Sequence, residues 1–262
     1  MTRILIEAAV ETVEDAEAAT AGGADRLELC AALDLGGLTP TLGMLREVRA
    51  VSGLPVVVML RPRGGDFVYD ERELRVMARD LEGFLPHAPA GFVLGVLDQS
   101  GRVHEAACKL LLKVAGGVPV VFHRAFDRTP DPLAALETCV KLGFARVLTS
   151  GREATGLAGS PAIRKLRDAA AGRIEILPCG KVSAKNAADI LSLTACTQLH
   201  GAFAEPVPEA GGRGHRGYAQ RCRTSAAEVA AVRAAVDAAS PNGVSSPRMT
   251  GLGPPRTGTP PP

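Results

Sequence analysis

The stretch "VPVVFHRAFDRTPDPLAALETCVKLGFARVLTSG", Val118 to Gly151, decides the fold. Val120–Phe126 is a β-branched and aromatic run that suits a strand. "TPDP" then gives a Pro-marked helix start, and Leu133–Leu142 reads as the helix it launches. Arg146–Ser150 reads as a second strand. A strand, a helix and another strand in so short a stretch form a right-handed crossover, which makes the two strands parallel.

The same alternation extends in both directions. Further strands are expected at Ile4–Val10, Arg26–Cys30, Val56–Pro62, Phe92–Leu97, Ile174–Leu177 and Gln198–Phe203. Helices are expected at Val13–Ala21, Leu42–Val51 after "LTPT", Glu71–Leu85, Glu105–Val114, Ala162–Ala170, Ala184–Leu193 with Ser183 as cap, and Ala226–Ala239. Eight strands and eight helices in about 250 residues have the size of a (β/α)8 TIM barrel. An open doubly wound sheet is the alternative, but the first turn lacks G-x-G-x-x-G and no nucleotide cofactor is expected. Residues 1–239 therefore read as a single barrel domain. Glu205–Arg223 interrupts the alternation as a Gly/Pro/Arg loop, and the Pro/Gly/Ser/Thr-rich tail 240–262 is expected to be disordered.

Composition narrows the function. Of 262 residues, 46% are hydrophobic, enough for a sizeable core, while only 3% are aromatic and Trp is absent. The core must be built from aliphatic side chains. A net charge of +2 argues for neither a nucleic-acid nor a membrane surface. The first residues lack the pattern of a secretory or transit peptide, and no apolar run approaches the ~20 residues of a membrane helix. A soluble, cytoplasmic protein is expected. Six scattered cysteines without C-x-x-C pairs then read as reduced thiols, most of them small buried hydrophobes.

In a parallel barrel, strand residues alternate between the interior and the helix layer, and chemistry gathers at the C-terminal strand ends. This parity points Glu7, Ala9, Glu28, Cys30, Val57, Met59, Arg61, His123 and His200 inward. Buried charge is expensive, so several ionisable groups at one end suggest a site, although a Glu–Arg pair or a hydrogen-bonded core histidine is the structural alternative. Arg61 and Arg63 leave a strand just before Gly64-Gly65, where a guanidinium can hold a carboxylate or phosphate through two hydrogen bonds. Asp66 can orient an arginine or move a proton, or the loop can be held rigid by an Arg–Asp pair. His123 and Arg124 leave another strand in the same way, followed by Asp127. Ser150 and Gly151 in "LTSG" can offer backbone N–H groups to an anion.

These segments resemble the CutC family, named for copper homeostasis. The resemblance rests on "AGGADRLELCAALDLGGLTPTLGML", "VVVMLRPRGGDFVYDERELRVM", "GFVLGVL", the stretch quoted first and "GRIEILP". It implies a (β/α)8 barrel, self-association as a dimer or tetramer, a cytoplasmic location and Cu(I) bound by cysteines. The chain departs from the family pattern at three places. Ala9 stands at the usual cysteine position on the first strand, which leaves Cys30 alone. Pro178-Cys179-Gly180-Lys181 replaces a glycine-rich turn, and Gly201-Ala202-Phe203 follows His200. Cu(I) favours thiolate and thioether ligands, so one thiolate predicts weak binding.

Three functions compete. One is CutC-type copper homeostasis, with Cys30 as metal ligand. Another is a barrel enzyme acting on a small anionic or phosphorylated metabolite. Its catalytic groups would be His123, Glu28 and Asp66, and its anion ligands Arg61, Arg63, Arg124, Ser150, Gly151, Lys181 and His200. The third is a non-catalytic scaffold, against which the polar constellation argues.

Overall fold

The computed structural model describes residues 3–207 and 221–239. Eight parallel strands alternate with eight helices: β1 (Leu5–Val10), α1 (Val13–Ala21), β2 (Arg26–Leu29), α2 (Leu42–Val51), β3 (Val56–Met59), α3 (Glu71–Phe84), β4 (Gly91–Leu94), α4 (Glu105–Val114), β5 (Val120–Phe122), α5 (Pro132–Leu142), β6 (Arg146–Thr149), α6 (Ser160–Ala170), β7 (Glu175–Pro178), α7 (Ala187–Thr194), β8 (Gln198–Gly201) and, after a short hairpin, α8 (Ala226–Ala239). The sheet order β7-β6-β5-β4-β3-β2-β1-β8 gives a nearly closed barrel. At its seam, Gln198 Nε2 of β8 donates to Glu175 Oε2 of β7 at 3.2 Å.

Strand alternation separates two apolar regions. Outward residues such as Ile6, Leu27, Leu29, Val58, Phe92, Leu94 and Phe122 pack under the helices. Inside the barrel, Cys30, Val57, Met59, Val93, Val121, Leu148, Leu177 and Cys179 form a smaller cluster. The helices begin at local signals. Thr12 and Asp15 form a capping box on α1, and Asp70 and Glu73 form another on α3. Asp131 accepts from the N–H groups of Leu133 and Ala134 ahead of Pro132 in α5. Each such cap stabilises its helix by about 1 kcal/mol.

The differences from expectation lie at element ends. β5 stops at Phe122, because Arg124–Arg128 turns into a 3-10 helix with the His123 ring as its cap. α7 begins at Ala187 rather than Ala184. The Ser183 carbonyl, not its hydroxyl, accepts from Asn186 and Ala187, so a turn precedes the helix. The loop expected at Glu205–Arg223 is anchored by an antiparallel pair, β9 (Ala204–Pro206) with β10 (Cys222–Thr224). Residues 208–220 and the tail expected to be disordered, 240–262, lie outside the described residues. Among the described residues no helix is long and apolar enough to cross a membrane.

Candidate functional site

A chain of polar side chains runs from an exposed pair at the start of β6 and β7 into the barrel interior along β8, β1 and β2. Arg146 Nε donates to Glu175 Oε2 at 2.5 Å, and Gln198 links Glu175 to Arg26, whose Nη2 donates to Gln198 Oε1 at 3.0 Å. Arg26 also pairs with Glu7. Glu7 Oε1 lies 2.8 Å from His200 Nδ1, and His200 Nε2 lies 3.7 Å from Glu28 Oε2. Cys30 closes the chain, its thiol 3.5 Å from the same Glu28 oxygen.

Position in this chain sets each group's charge. Burial would raise the Glu7 carboxyl, but the His200 hydrogen bond and the Arg26 charge outweigh it and hold Glu7 at about 2. Among the described residues Glu28 has no guanidinium partner, and burial raises its carboxyl despite His200. Burial would lower His200, yet Glu28 and Glu7 together raise it. Burial and then the Glu28 charge push the Cys30 thiol well up.

Arg61 and His123 occupy the exits of β3 and β5, and both are almost fully buried, at 5% and 3% exposure. Arg61 donates through Nη1 to the carbonyls of Leu35 (2.8 Å) and Gly37 (3.1 Å), and through Nη2 to Gly65 (2.9 Å). It therefore ties the β2–α2 and β3–α3 loops together. Among the described residues no carboxylate pairs with it. The Phe67 ring lies against both groups, with its centroid 4.9 Å from the Arg61 guanidinium carbon and 4.9 Å from the His123 ring. His123 Nδ1 accepts from the Ala125 N–H at 3.2 Å, which puts the proton of the neutral ring on Nε2. Burial, then the Arg61 charge, lowers His123 to about 3. Gly95 makes room for this ring, since a Cβ there would stand 2.5 Å from His123 Nδ1.

Among the described residues, four buried side-chain polar atoms have no hydrogen-bond partner: Glu28 Oε1, Arg61 Nε, Tyr69 Oη and His123 Nε2. Folded proteins pair nearly all such atoms. Here the exceptions come from β2, the β3–α3 segment and the β5 exit.

The other expected anion ligands lie elsewhere or are already engaged. Arg63 pairs with Glu73 (2.5 Å) and Asp66 (3.0 Å), and Asp66 is exposed. At the β6 exit an internal carboxylate takes the anion's place. Asp127 accepts from the Thr149 hydroxyl, the Ser150 N–H and hydroxyl (both 3.1 Å), the Arg152 N–H (3.3 Å) and Arg124 Nε (3.1 Å). Arg124 Nη2 also donates to Ser150 Oγ at 2.8 Å, and the Gly151 N–H donates to Thr149 Oγ1 at 2.9 Å. Lys181 stands apart with φ 53°, beside an open cleft of about 750 Å³ that Ser183, Gly201, Phe203 and Glu228 also line.

Sulfur gathers in the interior. Cys30, Met59 and Cys179 share the inner cluster, and a Cβ at Gly37 would stand 3.1 Å from Cys30 Sγ and 3.4 Å from Met59 Cε. Cys108, Cys139 and Cys196 pack in the helix-facing core as small hydrophobes. Sequence reasoning missed Arg26, Gln198, Glu175, Arg146 and the inward face of Cys179. The signal was present: Arg26 stands two residues before Glu28, Gln198 two before His200 and Cys179 two after Leu177, so each shares its neighbour's parity.

Comparison with known proteins agrees with this architecture. The CutC family model matches residues 4–205. A human copper homeostasis protein cutC homolog is 44% identical over 196 residues, 75% of this chain and 72% of its own length. A CutC family protein of Sinorhizobium medicae is 42% identical over 241 residues, covering 91% of this chain and 98% of that one. The crystal structure of CutC from Streptococcus agalactiae superposes with a TM-score of 0.73 at 35% identity, over 76% of this chain and 98% of that chain. The matched span includes β1 to β8 and every group described inside the barrel, and the chain belongs to the CutC family.

Proposed function

We propose that the C-terminal end of the barrel binds a small anionic metabolite, carboxylated or phosphorylated, and acts on it chemically. The unpaired buried donors Arg61 Nε and His123 Nε2 carry this reading. An unsatisfied buried donor costs about 1–3 kcal/mol, and more when charged. Arg61 adds a positive charge that no side-chain carboxylate among the described residues offsets, so an oxyanion supplies both the acceptor and the missing charge. His123 serves as a neutral hydrogen-bond donor. Glu28, raised by burial, is suited to exchange a proton. Asp127 argues against the β6 exit as the anion site, since a ligand there would have to displace an internal carboxylate.

Calorimetry with phosphate, sulfate and a panel of phosphorylated and carboxylated metabolites tests the reading. Arg61→Lys keeps the charge but loses the guanidinium Nε–H, so binding should weaken. Equal affinity in the variant would refute the assignment.

Copper homeostasis, which the human relative's name carries, is the second reading, here through bound Cu(I). Its support is the gathering of Cys30, Met59 and Cys179 in one buried cluster, because thiolate and thioether suit Cu(I). Affinity should be weak: Ala9 supplies no sulfur, and Cys30 must shed a proton beside Glu28. Competition against a Cu(I) chelator tests it. Tight one-to-one binding that disappears in Cys30→Ser would favour copper as the primary ligand.

A further inference from the structure

We propose that Glu28 and His200, with Glu7 orienting the imidazole, form a site for a divalent cation of intermediate softness inside the barrel. This goes beyond the anion reading and does not depend on it. It also uses different donors from the sulfur cluster. Glu7, Glu28 and His200 each present a ligand atom, and these atoms lie within 4.8 Å of one another.

The two sides of the His200 ring differ. Nδ1 stands 2.8 Å from Glu7 Oε1, a hydrogen bond. Nε2 stands 3.7 Å from Glu28 Oε2, too far for one. Nitrogen and oxygen ligands about 2.0–2.2 Å from one ion, at an open angle, stand roughly 3.5 Å apart. The gap therefore has the spacing of a shared ion.

An independent observation points to the same place. Glu28 Oε1 is buried and has no partner, so this carboxylate has an oxygen to offer. Arg26 pairs with Glu7, and among the described residues no guanidinium pairs with Glu28. The Glu7–His200 contact has the form that orients metal-bound histidines: a carboxylate holds one ring nitrogen and directs the other to the ion. An imidazole with carboxylates suits Zn²⁺, Co²⁺ or Mn²⁺ better than Cu(I). The rival occupant of the gap is a proton on Nε2.

The test titrates the metal-free full chain with Zn²⁺ by calorimetry and with Co²⁺ by visible absorption. One equivalent should bind, with Co²⁺ ligand-field bands. Glu28→Gln keeps the side-chain shape and should abolish binding, as should His200→Gln. Glu7→Gln should weaken binding about 10–100-fold, the usual effect of losing an orienting partner. Cys30→Ser should leave Zn²⁺ affinity unchanged. Circular dichroism verifies folding, and only variants with wild-type spectra are compared. Absence of binding in the wild type would overturn the proposal. So would Zn²⁺ binding that Cys30→Ser removes and both Glu28→Gln and His200→Gln retain.

Discussion

His123 should impose an acid limit on stability that one substitution removes. The ring is buried and neutral, held at about 3, while an unfolded histidine titrates near its ordinary value of about 6.5. The folded value is depressed, so the neutral ring's contribution is complete above about 6.5 and is lost as pH falls toward 3. At pH 5 the unfolded chain is almost fully protonated at this position and the folded one is not. Linkage then gives a loss of about 2 kcal/mol between pH 7 and pH 5. Urea unfolding of the wild type and His123→Gln at both pH values isolates this contribution. The variant is expected to be less stable at pH 7, since it disturbs the contacts with Phe67 and Ala125. Its further loss on going to pH 5 should be smaller than the wild type's by about 2 kcal/mol. Parallel losses in the two proteins would refute a buried neutral His123.

Gly95→Ala should force the His123 ring from its seat, because the new methyl would stand 2.5 Å from Nδ1. A cost of about 1–3 kcal/mol is expected in thermal unfolding, together with weaker phosphate binding. Asp127→Ala should release Thr149, Ser150, Arg152 and Arg124 at once and lower stability by about 3 kcal/mol, read by urea unfolding. Cu(I) affinity, measured by chelator competition from pH 6 to 9, should rise with pH, because binding displaces the elevated Cys30 proton. A flat profile would assign the metal to other donors.

The alternation of strands and helices was legible because apolar periodicity and helix starts are local. Inward parity put Glu7, Glu28 and His200 on the barrel side of their strands, since a strand's pleat fixes which side each residue faces, while Arg61 and His123 lie just past the ends of β3 and β5, where that rule no longer holds. Partners were harder to read. Arg61 is held by Leu35 and Gly37, more than twenty residues away, and a backbone carbonyl leaves no mark on the sequence. Ser150 and Arg124 looked free to bind an anion, but the fold brings Asp127 to them. Ser183 had the composition of a cap, yet the intervening turn put Asn186 at that position instead. Gly95 gave no signal, because its role is set by a ring on the neighbouring strand's exit.

The most direct test is a crystal structure of the full chain soaked in phosphate. The proposed anion site predicts a phosphate oxygen within hydrogen-bond distance of both Arg61 Nε and His123 Nε2, between the exits of β3 and β5. Ordered water alone bridging those two donors, or phosphate bound only at the β6 exit, would contradict it.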